Sequence, residues 1–311
     1  MTVKLAQTPE VQAFLEKVSG FDQSGGNERF KNIMHRLLSD LYRTIDDFDV
    51  TPEEFWSAVN VLNELGATKQ FALLAPGLGF DHYLDLRLDA KDAEAGRTGG
   101  TPRTIEGPLY VAGAPLSEGE TRMDDGTDPG EVMWLTGQVR DTQGQPIAGA
   151  IVDVWHADTK GNYSYFDTSQ SEYNLRRRIK TDAEGRYRAR SIVPSGYSCP
   201  PGSPTQQVLD LLGRHGTRPA HIHFFISAPG YRHLTTQINL ADDPYVHDDF
   251  AFATRDELII ESRRIEDQAQ AEKRGLEGPF TEVVFDVELV PVDKPELQQR
   301  SSRPRALEES A

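Results

Sequence analysis

Two histidines separated by one residue, in Arg218-Pro219-Ala220-His221-Ile222-His223-Phe224-Phe225-Ile226, are the most chemically pointed feature of this 311-residue chain. In a strand, residues i and i+2 share a face and sit roughly 6.5–7 Å apart. Both imidazoles could then converge on one metal ion while Ile222, Phe224 and Ile226 enter a core. The same spacing also suits two histidines that are merely packed or hydrogen-bonded. A zinc site would draw further on Cys, His, Asp or Glu. An Fe(II) facial triad would need a carboxylate, and a cupin-like site a Glu shortly after the pair, which Phe224 to Gly230 lacks. Tyrosine is the remaining hard anionic donor, and phenolate favours Fe(III) over Fe(II) or zinc. Tyr163 stands in Gly161-Asn162-Tyr163-Ser164-Tyr165, and Tyr197 in Pro194-Ser195-Gly196-Tyr197-Ser198-Cys199-Pro200. Taken alone, each reads first as a packed aromatic.

The elements that must position these residues fall into two kinds. Residues 1 to about 95 read as helices. Thr8-Pro9-Glu10 is a helix start, followed by Val11, Phe14, Leu15 and Val18 on one face. A second helix carries Phe30, Ile33, Met34, Leu37, Leu38, Leu41, Ile45 and Phe48. Thr51-Pro52-Glu53-Glu54 opens a third as a capping box, with Gly66 as its stop, and a fourth is expected over about 80–95. These apolar stripes are generous for short helices, so part of that surface must meet another domain or another chain. From about Thr101 the apolar residues alternate between glycine- and proline-rich turns. Strands are expected at 132–139, 150–155, 220–227, 234–240 and 281–290, with a hairpin over 180–192 turning at Asp182-Ala183-Glu184-Gly185. One helix is expected from 256 to about 273. The pattern predicts an α+β chain: helical residues 1–100, an antiparallel β-sandwich over 101–293, and a polar tail, 294–311.

Composition narrows the function classes. Hydrophobic residues make up 37% and charged residues 26%, as in a folded globular protein. The formal net charge of -16 disfavours nucleic acid and anionic membranes. No apolar run is long enough to span a bilayer, and Met1 to Gln7 lacks signal-peptide features; a cytoplasmic location is expected. The single cysteine, Cys199, leaves no intrachain disulfide and reads as a small packed residue. The other histidines lack convergent spacing, and Arg176-Arg177-Arg178 reads as a solvated face or local ion pairing.

Taken as an ordered set, Trp155-His156-Ala157, Tyr163-Ser164, Arg176-Arg177-Arg178, Pro194-Ser195-Gly196-Tyr197, Arg218-Pro219-Ala220-His221-Ile222-His223 and Leu234-Thr235-Thr236-Gln237-Ile238 resemble the intradiol ring-cleaving dioxygenases. The stretches Thr101 to Tyr110 and Asp248-Asp249-Phe250-Ala251 fit the same order, so the resemblance covers nearly the whole chain. It implies one Fe(III) per chain, held by Tyr163, Tyr197, His221 and His223 with hydroxide or water in a fifth place. It also implies intradiol cleavage of catechol by O2 to cis,cis-muconate in aromatic degradation. By the same resemblance Tyr197 is a catalytic base, Arg218 an electrostatic stabiliser, and Gln237 a catalytic residue that orients either Arg218 or the hydroxide. Leu73, Pro76, Ile105, Pro108, Leu109, Arg218, Phe250 and Ala251 match the substrate pocket. A homodimer joined through the helical domain, and a phospholipid in an apolar tunnel at its interface, are implied too. Two other readings stay open here: the same chemistry on hydroxyquinol or a chlorocatechol, and a non-catalytic sandwich binding module.

Overall fold

The computed structural model describes residues 3–292, so the expected polar tail lies outside the described residues. The chain divides into two compact units, one up to residue 68 and one from residue 69 onward. Residues 69–100, which the sequence pattern groups with the helices, belong to the second unit.

The first unit contains α1 (Pro9–Val18), α2 (Glu28–Phe48) and α3 (Pro52–Ala67). Each start signal is realised as a side-chain cap. Thr8 accepts from Val11 N, Asn27 from Phe30 N, and Thr51 and Glu54 bond reciprocally as a capping box. α3 ends one residue beyond the expected glycine stop. The apolar stripe of α2 is not covered: Phe30 is 62% and Phe48 79% exposed, with Ile33, Leu37, Leu41 and Ile45 also open.

The second unit begins with α4 (Phe71–Gly77) and α5 (Phe80–Glu94) and continues as a sandwich. One sheet has the order β1-β5-β4-β9-β10-β11, from Leu116–Glu118, Arg176–Lys180, Ile151–His156, His221–Ser227, Leu234–Leu240 and Ile259–Ile260. The other has the order β12-β13-β3-β6-β2, from Arg263–Ile265, Phe280–Val284, Val132–Asp141, Arg186–Ile192 and Glu120–Arg122. The central pairs β5-β4, β4-β9, β9-β10 and β3-β6 are antiparallel, while β1, β2, β11 and β13 join in parallel. Alternation builds the core. Val152, Val154, Ile222, Phe224, Ile226 and Ile238 from the first sheet bury against Met133, Leu135, Tyr187, Ala189 and Val283 from the second.

Three local expectations are corrected. The turn at 182–185 forms, but its flanking strands β5 and β6 enter opposite sheets, so 180–192 is an arch rather than a hairpin. Ile179 and Tyr187 thereby face one another's sheet across the core. The helix expected from 256 is a single 3-10 turn (Asp256–Leu258) followed by β11 and β12, and only Gln268–Lys273 (α7) is helical. Ile259 and Ile260 find pairing partners in Asn239 and Leu240, and sheet pairing overrides the local helical pattern. The strand expected at 281–290 is two, β13 and β14 (Val287–Leu289), both laid along β3.

Candidate active site

The outer face of the β4-β9-β10 sheet is polar where its inner face is apolar. Register places Trp155, His223 and Gln237 in one row and His221 beside Asn239. All are buried, His221 at 1% and His223 at 2% exposure. The His223 ring stacks on Trp155 at 4.9 Å and 6°, which fixes its plane. His221 Nδ1 lies 2.6 Å from the Pro219 carbonyl. A carbonyl can only accept, so Nδ1 carries the proton and Nε2 presents a lone pair. Burial, then the nearby Arg218 charge, pushes the His221 imidazole down to about 3, so it stays neutral.

Both tyrosines reach this lone pair's surroundings from other elements. The Tyr163 hydroxyl is 3.3 Å from His221 Nε2. Tyr197 sits on the short strand β7 (Tyr197–Ser198), directly opposite Arg218 on β8 (Thr217–Arg218). Its ring meets Tyr163 edge-on at 5.8 Å and His221 at 5.5 Å. The two tyrosine loops touch because Gly161, at φ +81°, has no Cβ; one would lie 2.6 Å from the Tyr197 Cβ. Burial raises the proton affinity of both phenols, so turning them into phenolates here requires a compensating cation.

Arg218, 2% exposed, closes the site. Its guanidinium bonds to Asp249 at 3.0 and 3.2 Å, donates to Gln237 Oε1 at 2.7 Å, and reaches His221 Nε2 at 3.1 Å. Gln237 in turn donates to Asn239 Oδ1 at 3.0 Å. Burial opposes both charges of the Arg218–Asp249 pair, yet their mutual attraction holds Asp249 below and Arg218 above its usual range.

Apolar residues flank this centre. Ile105, Phe250 and Ala251 bury in one cluster with Cys199 and Leu209, against which Leu73 packs. Leu109 packs with Tyr110, Trp155 and Tyr163 in another. Pro76 is buried within α4, and Pro108 is half-buried beside Gly107, which lies against the His223 ring. Burial pushes the Cys199 thiol up to about 11, consistent with a packed, unreactive residue.

Two family models match the chain: one described as "Dioxygenase" over residues 105–291, and one as "Catechol dioxygenase N terminus" over 27–96. A catechol 1,2-dioxygenase of Pseudomonas sp. (strain EST1001) is 66% identical over 96% of this chain and all of that protein. The chain belongs to the intradiol dioxygenase family. The crystal structure of catechol 1,2-dioxygenase from Pseudomonas arvilla C-1 superposes with a TM-score of 0.95 at 63% identity, covering 99% of this chain and 100% of that one. Relatives named hydroxyquinol 1,2-dioxygenase (Rhizobium sp.) and chlorocatechol 1,2-dioxygenase (Rhodococcus opacus) match at 34% and 36%.

Within this intradiol dioxygenase, two side chains near the site escaped sequence reasoning. Asp249 was visible only as part of a motif; nothing local says that its carboxylate meets Arg218, 31 residues away. Arg176 reads from sequence as part of a solvated face or a local ion pair, but it is 1% exposed. It is held by the Ser164 hydroxyl and carbonyl and lies 5.7 Å from the Tyr163 ring centroid. Its place on β5, paired with Trp155 on β4, turns it onto the face that carries the site, while Arg177 and Arg178 satisfy nearby carbonyls. Alternation along a strand was the available signal.

Proposed function

We propose that this protein catalyses Fe(III)-dependent intradiol cleavage of catechol by O2 to cis,cis-muconate, with both oxygen atoms entering the product. The observation that carries the reading is the convergence of Tyr163 from a loop, Tyr197 from β7, and His221 and His223 from β9 around the lone pair of His221 Nε2. Among the described residues no group of three or more His, Cys, Asp or Glu comes together. Any ion held here therefore draws on the phenols, and two hard phenolates with two neutral imidazoles suit ferric iron. His223 Nδ1 is buried without a hydrogen-bond partner, a further sign of an imidazole held by something other than protein hydrogen bonds. Tyr163, Tyr197, His221 and His223 would hold the ferric ion, which would supply a Lewis-acid centre that activates the catechol ring.

The remaining work falls to the chain. Tyr197, held as a phenolate while it is a ligand of the ion, would take one proton from a catechol hydroxyl and become a neutral phenol, the form that burial favours. Arg218 keeps a fixed positive charge where negative charge develops on the ring. Asp249 and Gln237 hold its guanidinium in place. Leu73, Pro76, Ile105, Pro108, Leu109, Phe250 and Ala251 form the apolar wall that takes a neutral ring and keeps water out. Catechol is favoured over hydroxyquinol or chlorocatechols because catechol-named relatives match at 52–66% identity, against 31–36% for relatives named for the other two.

The reading extends to assembly and location. The exposed apolar stripe of α2 supports a homodimer joined through the helical unit, and the phospholipid rests on the family resemblance alone. Light scattering and organic extraction with mass spectrometry test these points. Among the described residues no helix is long and apolar enough to cross a membrane; a cytoplasmic location is part of the proposal, checked by fractionation.

The deciding experiment adds catechol anaerobically to iron-loaded protein, follows the visible phenolate-to-iron charge-transfer band, then admits air. A shifted band followed by cis,cis-muconate supports the reading. A colourless protein, or a product cut outside the two hydroxyl-bearing carbons, overturns it.

A further inference from the structure

We propose that Arg214 is a specificity-determining clip that fixes the position of α4 against the 249–252 loop and so limits the size of ring the pocket accepts; the proposal rests on the function inferred above. α4 is only seven residues long and has no side-chain cap at its start. Isolated helices of that length are not stable in water, so its placement depends on what holds its ends. At its N-terminal end Thr205, on α6 (Pro204–Leu211), donates through its hydroxyl to the Gln70 carbonyl at 3.2 Å and through its backbone N–H to Gln70 Oε1 at 3.3 Å. At its C-terminal end Arg214 donates to the Gly77 carbonyl at 2.6 Å. The other arm of the same guanidinium donates to the Phe250 carbonyl at 2.9 Å, and its plane lies 4.6 Å from the Phe252 ring centroid. One planar fork thus ties two backbone segments, the use for which arginine is suited and lysine is not.

Both tied segments carry the apolar wall. Gly77 directly follows Pro76 and lies three residues beyond Leu74, one turn after Leu73. Phe250 and Ala251 occupy the other segment. The two approach so closely that a Cβ on Gly77 would sit 3.0 Å from the Phe250 ring. Phe252 adopts φ +54°, a left-handed backbone that a non-glycine residue takes only when its surroundings hold it there. Ala251 N–H also bonds to Asp249 Oδ1 at 2.9 Å, so the clipped loop continues into the carboxylate that seats Arg218. Arg214 touches none of the reacting groups itself; it acts through the wall it positions.

Arg214→Met tests this, because it keeps a stem over Phe252 and removes both donors. Three quantities are read on iron-loaded enzyme: kcat/KM for catechol and for 3- and 4-methylcatechol, the charge-transfer band, and hydrogen exchange of residues 71–79. The expected result is faster exchange, an unaltered band, a raised KM for catechol with kcat nearly unchanged, and a rise of about 3- to 10-fold in the methylcatechol-to-catechol ratio. Arg214→Lys, able to serve one carbonyl, should shift the ratio the same way by less, and carries the test if the methionine variant does not fold. A ratio that stays constant while exchange quickens makes Arg214 a structural tie only and overturns the proposal, as does unchanged exchange. Wild-type enzyme that fails to cleave catechol sinks the proposed function and the specificity claim with it, whereas wild-type turnover with an unmoved ratio sinks the clip alone.

Discussion

β9 shows two faces built from consecutive residues to opposite ends. Ile222, Phe224 and Ile226 enter an apolar core made from both sheets, while His221 and His223 look outward onto tyrosines and an arginine. Both faces are equally buried, so burial alone does not distinguish stability from chemistry. What differs is satisfaction. The inner face needs only shape. The outer face carries polar groups whose partners are partly local, Pro219 and Arg218, and partly brought from elements distant in sequence, Tyr163, Asp249 and Gln237. It is stable only as a completed network.

Neighbouring substitutions on this one strand test the division. His223→Ala removes a proposed iron ligand, so the visible band should vanish and turnover should fall roughly 1000-fold or more, while the urea midpoint of the iron-free protein falls by clearly less than in Phe224→Ala. Phe224→Ala should do the reverse. It should lower stability by about 3–5 kcal/mol through lost burial and the cavity left behind, while the folded fraction still binds iron with an unchanged band. Were both variants to lose stability equally and keep their colour, the two faces would not be separable functions.

The two faces also differ in how far the chain revealed them. The i, i+2 alternation at 221–226 states both at once, and the capping signals at Thr8 and Thr51-Glu54 are local chemistry that survives any tertiary context. α4 is not legible in the sequence because two turns of helix are too few to establish a period. The turn at Asp182 to Gly185 was legible, but which sheet each flanking strand joins depends on partners elsewhere, and β5 and β6 go separate ways. Arg176 looked solvated because charge was weighed above its position in the strand, next to Trp155. Asp249 could be named but not paired, since contact across the fold leaves no mark in spacing.

Asp249 sharpens the comparison further, because it belongs to the completed side of the network. Asp249→Asn keeps the shape and one acceptor but removes the charge facing Arg218, leaving a buried guanidinium short of its counter-charge. Turnover should fall about 100-fold through kcat, with the iron band retained because no proposed ligand is altered. A kcat within threefold of wild type would show that Gln237 alone can seat Arg218.

The smallest effect comes from a half-buried carboxylate on the incomplete side of such a balance, at α5. There Asp89 pairs with Arg103 and Arg255, and Asp92 with Arg97, Arg103 and Arg232. Asp85 shares this neighbourhood and feels the charges of Arg255 and Arg103, but among the described residues it forms no ion pair with either. Burial pushes its carboxyl up to about 6; the charges of Arg255 and Arg103 oppose this, and Asp89 adds to it. The folded chain therefore binds this proton more tightly than the unfolded chain does. The stability Asp85 contributes is fully present below about pH 4, is lost as pH rises to about 6, and stays lost above that. The loss amounts to about 2–3 kcal/mol at most, and less where water reaches the group. Asp85→Asn should then stabilise the protein at pH 7 by about 1 kcal/mol, since a neutral amide escapes the cost of burying charge but still needs hydrogen bonds. The gain should shrink toward zero near pH 4, where the aspartate is already neutral. Urea unfolding at the two pH values reads the difference. A loss at pH 7 would mean that the arginines outweigh desolvation at Asp85, so that it, like Asp249, belongs to a satisfied network.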